Sequence, residues 1–301
     1  MKKPTIIHIG YHKTGTTYLQ KNVFENNPKL FNRVPQPTIR NTLILPSPLR
    51  YDSEPFETLC LSNSLEKRLV ISNEYISSNI HNGDYMSAIT ADRLKQVIPS
   101  AKIIIGIREQ VSMITSAYSQ YIKARGSLSI RDYLYSPISK LFNFNHLQYH
   151  SLIEYYMNLY GKENILILPY EVLKTNPRLY LKTVFEFIEE PDLIETIDFD
   201  VQSKLNPSMS SFALQVKRFF NPFIMQTFPG LGKTLYFKPL VLLFSLINRG
   251  LKLFPLKALD KKIEENIRSI ILEEISDRYE YSNRQTQNYT SFDLNALGYR
   301  L

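Results

Sequence analysis

Residues 6–20, IIHIGYHKTGTTYLQ, form the stretch that decides the fold of this chain. Four residues typical of a buried strand run into a short polar loop that contains Gly10 and Gly15. An amphipathic run from Thr17 to Phe24 follows and predicts a helix. The first backbone N–H groups of a helix lack intrahelical partners and carry partial positive charge. The strand, loop and helix therefore predict an anion-binding site.

The loop also carries side chains that suit a phosphate or a phosphosulfate. Lys13 supplies a cation, and three hydroxyl groups accompany it on Thr14, Thr16 and Thr17. The alternative is an ordinary strand-to-helix turn, in which glycines supply tight geometry and threonines only cap. The common nucleotide loop reads GxxxxGK[ST], whereas this loop reads GxxxxGTT from Gly10. The shifted lysine argues against an ordinary ATP or GTP hydrolase.

The run HIGYHKTGTTYLQ resembles the 5′-phosphosulfate loop of bacterial sulfotransferases. These enzymes use 3′-phosphoadenosine 5′-phosphosulfate (PAPS) and release 3′-phosphoadenosine 5′-phosphate (PAP). The resemblance implies a P-loop-like α/β fold. It also implies that the 5′-phosphosulfate is held by Lys13, Thr14, Gly15, Thr16 and Thr17.

A second strand carries the candidate base. Residues 68–74 read RLVISNE and predict a buried strand with Glu74 at its carboxyl end. Ligands bind outside the carboxyl ends of strands in open parallel sheets, where Lys13 also lies. Sulfuryl transfer needs a group that takes the acceptor proton, which we assign to Glu74, and cations near the leaving phosphate, which we assign to Lys13 and His12. The alternative is that Glu74 closes the strand or pairs with a basic residue.

A third strand carries a second phosphate motif. Residues 102–108 read KIIIGIR and predict a buried strand that ends in Arg108, followed by a helix through Ser116. Eight residues span just over two helical turns, so both side chains can face one phosphate. The spacing also matches the 3′-phosphate signature of sulfotransferases. A weaker resemblance at residues 204–208, KLNPS, adds Lys204 to the cofactor-binding residues.

Two later stretches of the sequence bear less directly on the predicted site. Residues 164–171, NILILPYE, resemble the family arrangement of a strand followed by Tyr-Glu, and we expect Glu171 to pair locally. His146 and His150 lie one helical turn apart, but no third ligand accompanies them, so we predict no metal site.

Composition limits the possible partners. The chain has 301 residues, 44% of them hydrophobic, which suffices for a full core. Lysine and arginine number 36 against 28 acidic residues, a formal charge of +8. This excess suits a polyanionic cofactor or an acidic glycan, and by itself it equally suits nucleic acid or an anionic membrane. With the motifs taken into account, we expect no nucleic-acid partner.

Two apolar stretches bear on location. The start, MKKPTIIHIG, has too short an apolar run for the core of a signal peptide, so we expect a cytoplasmic protein. Residues 240–247, LVLLFSLI, are far short of a membrane span and have basic neighbours. We therefore expect residues 222–257 either to contact an anionic membrane surface or to pack as helices over the acceptor cleft.

We predict a single α/β domain over residues 1–301, with a mostly parallel sheet flanked by helices. Residues 28–65 form an irregular insertion in this prediction, and residues 215–258 form a helical, apolar and basic one. The predicted function is transfer of a sulfuryl group from PAPS to a hydroxyl of a glycan, glycolipid or related acceptor. Glu74 is the base, and no metal is required.

Two other functions stay open. A P-loop kinase would use ATP and would need a lysine after the second glycine, where Thr16 lies, and a magnesium-binding acid, for which Glu74 could stand in. A protein without activity could keep the fold and bind a partner or a membrane through residues 222–257.

Overall fold

The computed structural model describes residues 3–63, 67–81, 83–135, 142–196, 209–223, 227–228, 232–233, 239, 242–243, 246 and 256–301. Residue contacts group the chain into two compact units. The first holds Met1–Gln110, Asn143–Gln202 and Asp277–Leu301, and the second holds Val111–Phe142 and Ser203–Ser276. The single domain over residues 1–301 stays a prediction.

A five-stranded parallel sheet runs through the first unit in the order β2-β3-β1-β4-β5. Its strands are β1 (Thr5–Gly10), β2 (Phe31–Arg33), β3 (Arg68–Ser72), β4 (Ala101–Ile107) and β5 (Ile165–Pro169). Apart from the edge strand β2, each strand has at most one residue that is not buried. Such nearly continuous burial is typical of parallel strands that are covered on both faces. The predicted α/β fold with a mostly parallel sheet is confirmed.

Helices accompany these strands along the chain. The α-helical segments of the described residues are α1 (Thr16–Leu19), α2 (Gln36–Ile39), α3 (Glu54–Asn63), α4 (Ser87–Val97), α5 (Gln110–Lys123), α6 (Ile130–Tyr135), α7 (Tyr149–Tyr160), α8 (Tyr170–Thr175), α9 (Pro177–Phe187), α10 (Ser211–Phe220), α11 (Lys257–Ile275) and α12 (Glu280–Gln287). Two of them continue as π-helix, α1 through Gln20–Glu25 and α2 through Arg40–Ile44. Short 3₁₀ turns lie at Pro48–Arg50, Glu74–Ser77, Phe144–Leu147, Lys162–Asn164, Pro191–Thr196 and Asn221–Phe223.

Local sequence explains where α9 begins and which face it buries. The side chain of Asn176 accepts a hydrogen bond from Leu179 N at 3.0 Å, and Pro177 occupies the first turn, where its missing N–H costs nothing. Leu181 and Val184 are fully buried in the core cluster that also contains residues of β1, β3 and β4.

Residues 28–63 are more regular than the sequence predicts. Strand β2 pairs in parallel with β3, with Phe31 opposite Arg68. Pro37 lies in the first turn of α2, where proline starts a helix rather than breaking one. The stretch predicted as an irregular insertion at residues 28–65 thus contains short regular elements, and β2 is too short to show a strand pattern in the sequence.

The second unit holds α6, α10, α11 and most of α5, together with an antiparallel pair, β6 (Thr227–Phe228) and β7 (Gly232–Lys233). Arg131 on α6 forms ion pairs with Glu273, at 2.6 Å, and with Glu274 on α11. Most of residues 222–257 lies outside the described residues, as does much of the insertion predicted at 215–258. In the described part of the chain, no helix combines the length and the apolar character needed to cross a membrane.

Candidate active site

The carboxyl ends of β1, β3 and β4 lie side by side, because β1 pairs with both of the others. From β1 the chain builds β2 and β3 on one side and then β4 and β5 on the other. Ligands bind at such a switch point in open parallel sheets. Gly10 and Gly106 lie opposite each other there. A Cβ on Gly106 would lie 2.8 Å from Thr14 Oγ1, and one on Gly10 would overlap Thr16 Oγ1. The glycines thus make room for the loop.

The loop after β1 is tight and partly left-handed. Lys13 has a φ of 68°, and Gly15 has a φ of 83°. Gly15 also packs so closely on α8 that a Cβ would lie 2.6 Å from Leu173 Cδ2. Thr14 Oγ1 donates a hydrogen bond to Tyr11 O at 2.6 Å. A non-glycine residue held in the left-handed region is strained, and such strain is concentrated at functional sites.

The predicted phosphate-binding residues of this loop have different surroundings. Lys13 and Thr17 are exposed, whereas Thr14 and Thr16 are buried. The hydroxyl of Thr14 is used within the loop, so this residue offers a ligand only its backbone N–H. Thr16 Oγ1 is buried and has no hydrogen-bond partner among the described residues. The start of α1 therefore presents an unsatisfied hydroxyl beside helix N–H groups that lack intrahelical partners.

Arg108 follows β4 directly and reaches the loop. Its Nη1 donates a hydrogen bond to Lys13 O at 3.2 Å, and its guanidinium lies 4.8 Å from the ring centre of Tyr170. Its Nε is buried and lacks a hydrogen-bond partner in the described ranges. The structure thus brings Arg108 and Lys13, two of the predicted cofactor-binding residues, together at one strand edge.

The backbone around Arg108 is held from several sides. Tyr149 donates its hydroxyl to Arg108 O at 2.6 Å. Glu171 accepts one hydrogen bond from Glu109 N at 3.0 Å and one from the hydroxyl of Tyr299 at 3.1 Å. Burial raises the pKa of Glu171, and these hydrogen bonds oppose the rise. The described hydrogen-bond partners of Glu171 thus lie 62 and 128 residues away along the chain.

Glu74 is the first residue of the 3₁₀ turn that follows β3, and it is half-buried. Its Oε2 accepts a hydrogen bond from Gln36 Nε2 at 3.2 Å. The same nitrogen lies 3.3 Å from Gln20 Oε1. Among the residues that the structure describes, the hydrogen-bond partner of Glu74 is thus an amide and not a basic residue. The sequence gives Gln20 and Gln36 no role beside Glu74, because both lie far from it along the chain.

His12 packs edge-on against Tyr75, with ring centres 4.9 Å apart. Its Nε2 is buried without a hydrogen-bond partner among the described residues. Burial lowers the pKa of His12 to about 4; repulsion from His146 adds to this effect, and a hydrogen bond to the backbone of Ser78 opposes it. At pH 7 the imidazole is therefore neutral. The predicted cationic role of His12 does not agree with this burial, which the sequence pattern does not reveal.

The two histidines considered for a metal have separate partners. His146 Nδ1 lies 2.9 Å from Asp84 Oδ1 and belongs to the 3₁₀ turn before α7. His150 lies on α7, and its Nδ1 is 2.9 Å from Ser282 Oγ. Across the described ranges, His, Cys, Asp and Glu side chains form no group of three that could hold a metal ion. The absence of a metal requirement stays a prediction.

Two further predicted cofactor-binding residues do not belong to the described part of the first unit. Ser116 is half-buried on α5 and belongs to the second unit. Lys204 lies outside the described residues. Their roles stay predictions from the sequence.

The volumes of the cavities do not identify the candidate active site. A cavity of about 690 Å³ lies near the amino ends of β1 and β3, with Thr5, Leu69 and Cys60 in its lining and none of the predicted site residues. Burial raises the pKa of Cys60 to about 12, which keeps its thiol protonated and unreactive. A smaller cavity of about 120 Å³ includes Tyr11 of the loop.

Comparison with known proteins agrees with this geometry. A family model described as a sulfotransferase domain matches residues 3–221, which is most of the chain. The crystal structure of a sulfotransferase from Alicyclobacillus acidocaldarius shares the fold, with 18% identity and a TM-score of 0.52 over 74% of this chain and 93% of that chain. Mouse sulfotransferase SULT7A1 complexed with PAP is 18% identical, with a TM-score of 0.40 over 69% of this chain and 68% of that chain. A search of curated protein sequences found no match.

Proposed function

Because this chain belongs to the sulfotransferase family, we propose that it transfers a sulfuryl group from PAPS to a hydroxyl of a glycan, glycolipid or related acceptor. Sulfuryl transfer in general follows from the family. The choice of PAPS is supported chiefly by one observation, the hydrogen bond from Arg108 Nη1 to Lys13 O at 3.2 Å. This bond joins two predicted donor-binding motifs that lie 95 residues apart in the sequence.

The residues at this edge fit the phosphate groups of such a donor. Thr16 Oγ1 and Arg108 Nε are buried polar atoms without partners among the described residues. Leaving such an atom unsatisfied costs about 1–3 kcal/mol, and phosphate or sulfate oxygens accept hydrogen bonds from both groups. Lys13 adds an exposed cation. Ser116 keeps its proposed role at the 3′-phosphate on the strength of the sequence motif alone.

PAPS, when bound, supplies an activated sulfuryl group on a phosphate leaving group. Lys13 stabilises the negative charge that develops on the bridging oxygen as the S–O bond breaks. Glu74 accepts the proton of the acceptor hydroxyl as the new S–O bond forms. His12 is the second candidate for this proton, because its imidazole is neutral at pH 7 and its Nε2 is unpaired among the described residues.

The other proposals concern the acceptor and the location. A glycan or glycolipid acceptor is supported by the net charge of +8, which suits an acidic glycan. A cytoplasmic location and membrane contact through residues 222–257 stay proposals. The P-loop kinase loses its support, because the family match is to sulfotransferases.

A transfer assay tests the proposal. The purified full chain is incubated in EDTA with [³⁵S]PAPS and a panel of neutral and acidic glycans and glycolipids, and labelled products are separated. We expect label in at least one glycan. Thermal-shift titration serves as the parallel measurement, with stabilisation by PAP in EDTA expected. Stabilisation by Mg·ATP alone would instead indicate a kinase, and PAP binding without transfer to any acceptor would refute the proposed acceptor class.

A further inference from the structure

We propose that Gln36 is a positioning residue for Glu74, and that it keeps the Glu74 carboxylate aimed at the acceptor hydroxyl. The inference rests on the proposed function and adds a residue of α2 to its machinery. Gln36 lies within residues 28–65, which carry no sequence motif for sulfuryl transfer.

The amide of Gln36 has two acceptors and one possible orientation. Its Nε2 lies 3.2 Å from Glu74 Oε2 and 3.3 Å from Gln20 Oε1. An amide nitrogen carries two hydrogens, so it can donate to both oxygens at once. The reversed orientation would place the amide oxygen against a carboxylate and is unfavourable. The orientation of Gln36 is therefore fixed by its neighbours.

The orientation of Gln20 is fixed in turn by buried groups. Its Nε2 donates to Ser72 O at 3.3 Å and to Ser72 Oγ at 3.0 Å. Because Ser72 O can only accept, the amide oxygen of Gln20 must face Gln36. Ser72 Oγ also lies 2.9 Å from His8 Nδ1, and burial lowers the pKa of His8 to about 3, so that ring stays neutral. A continuous hydrogen-bonded row thus runs from Glu74 into the core.

Two further contacts hold α2 against the residues beside Glu74. Asn73 Nδ2 donates to Gln36 O at 3.4 Å. The guanidinium of Arg40 lies 5.6 Å from the ring centre of Tyr75. Three successive residues, 73 to 75, therefore contact the segment that begins at Gln36. Gln20 lies where α1 continues as π-helix, so the same row links Glu74 to the helix that follows the phosphate loop.

A neutral donor suits this position. A hydrogen bond to a carboxylate stabilises its charged form and fixes one oxygen, which leaves Oε1 for the acceptor hydroxyl. A lysine or arginine at the same place would pair with the carboxylate more strongly and make it a poorer proton acceptor. The amide of Gln36 orients Glu74 without neutralising it.

The test uses the full chain with Gln36→Leu, which keeps the approximate side-chain size and removes the donor. Gln96→Leu is the matched control, because Gln96 is an exposed glutamine on α4 whose recorded partner is Ser53. We expect Gln36→Leu to lower kcat about tenfold at unchanged PAP affinity, because Glu74 loses its orientation. The control should match the wild type.

A double-mutant cycle separates positioning from general damage. In the Glu74→Gln background, Gln36→Leu should change kcat less than about twofold, because the group that it orients is already absent. An equal loss of kcat in both backgrounds would overturn the inference. Loss of PAP affinity in Gln36→Leu would overturn it as well, since that result indicates a donor-binding role.

NMR keeps the inference testable without an acceptor. The ¹H–¹⁵N signals of the Gln36 side chain are assigned by their loss in Gln36→Leu and followed from pH 7 to pH 4. They should shift as the pH falls in the wild type and stay in place in Glu74→Gln. Signals that do not respond to Glu74 would overturn the inference on their own. A wild type that binds no PAP and transfers no label, but shows the shift, would contradict only the proposed function.

Discussion

The ends of β1 and β3 carry the two halves of the proposed chemistry, and they are built differently. The loop after β1 is shaped mainly by its own neighbours, with Gly10, Thr14 and Gly15 within a few residues of Lys13. Glu74 after β3 instead depends on Gln36, which lies 38 residues away in the sequence. The conformation of the phosphosulfate loop thus depends mainly on nearby residues in the chain, whereas the proposed base is positioned by a distant segment.

This difference has a consequence for variants. Changes at the loop should act on the donor and leave the surroundings of Glu74 intact. Changes at the end of β3 should lower turnover and leave donor affinity intact. The predictions below test this separation.

The largest effect is expected for Lys13→Ala. Loss of the cation at the developing charge should lower kcat/KM by roughly 10²–10³-fold. The measurement is the initial rate of label transfer from PAPS. Lys21→Ala, an exposed lysine on the adjoining π-helix, is the control and should keep the wild-type rate. Equal rates for Lys13→Ala and Lys21→Ala would contradict the assignment of the loop after β1 to the donor site.

The next largest effect is expected for Glu74→Gln. Its turnover should fall roughly a hundredfold, because the amide cannot accept the proton. Calorimetric titration should find PAP affinity unchanged. Glu54→Gln, an exposed glutamate in the first turn of α3, provides the comparison. Normal turnover in Glu74→Gln would transfer the role of base to His12.

Arg108→Ala should weaken PAP binding by about 2–3 kcal/mol, roughly 30- to 150-fold, because a charged contact to phosphate is lost. Arg50→Ala, an exposed arginine in a 3₁₀ turn, should bind PAP normally. Unchanged PAP affinity in Arg108→Ala would show that Arg108, at the end of β4, does not bind the donor.

The smallest effect concerns His8 on β1, whose Nδ1 lies 2.9 Å from Ser72 Oγ at the end of β3. Burial lowers the pKa of His8 from 6.5 to about 3, so between these values the unfolded chain binds a proton that the folded chain does not. Stability from this group is therefore present above pH 6.5 and falls as the pH falls, by about 2 kcal/mol at pH 5.

His8→Asn should accordingly lose about 2 kcal/mol less than the wild type between pH 7 and pH 5. Urea unfolding at both pH values measures this difference, which does not depend on the cost of the substitution itself. Equal losses in the two proteins would show that His8 is protonated in the folded state.

The same contrast explains what the sequence could predict. Strand β1, the loop after it and the position of Arg108 were predictable, because each depends on apolar runs and glycines that are close together in the chain. The neutral state of His12 was not, because it follows from burial against Tyr75 and from the approach of His146. The role of Gln36 was not, because α2 has four residues and its contact with Glu74 arises only when β2 pairs with β3.

Calorimetric titration of the wild type with PAP in EDTA tests the central claim most directly. If the loop after β1 and Arg108 hold one donor, PAP should bind with one site per chain, and Lys13→Ala and Arg108→Ala should each weaken it. Absence of binding heat, or affinity unaffected by both substitutions, would contradict the claim.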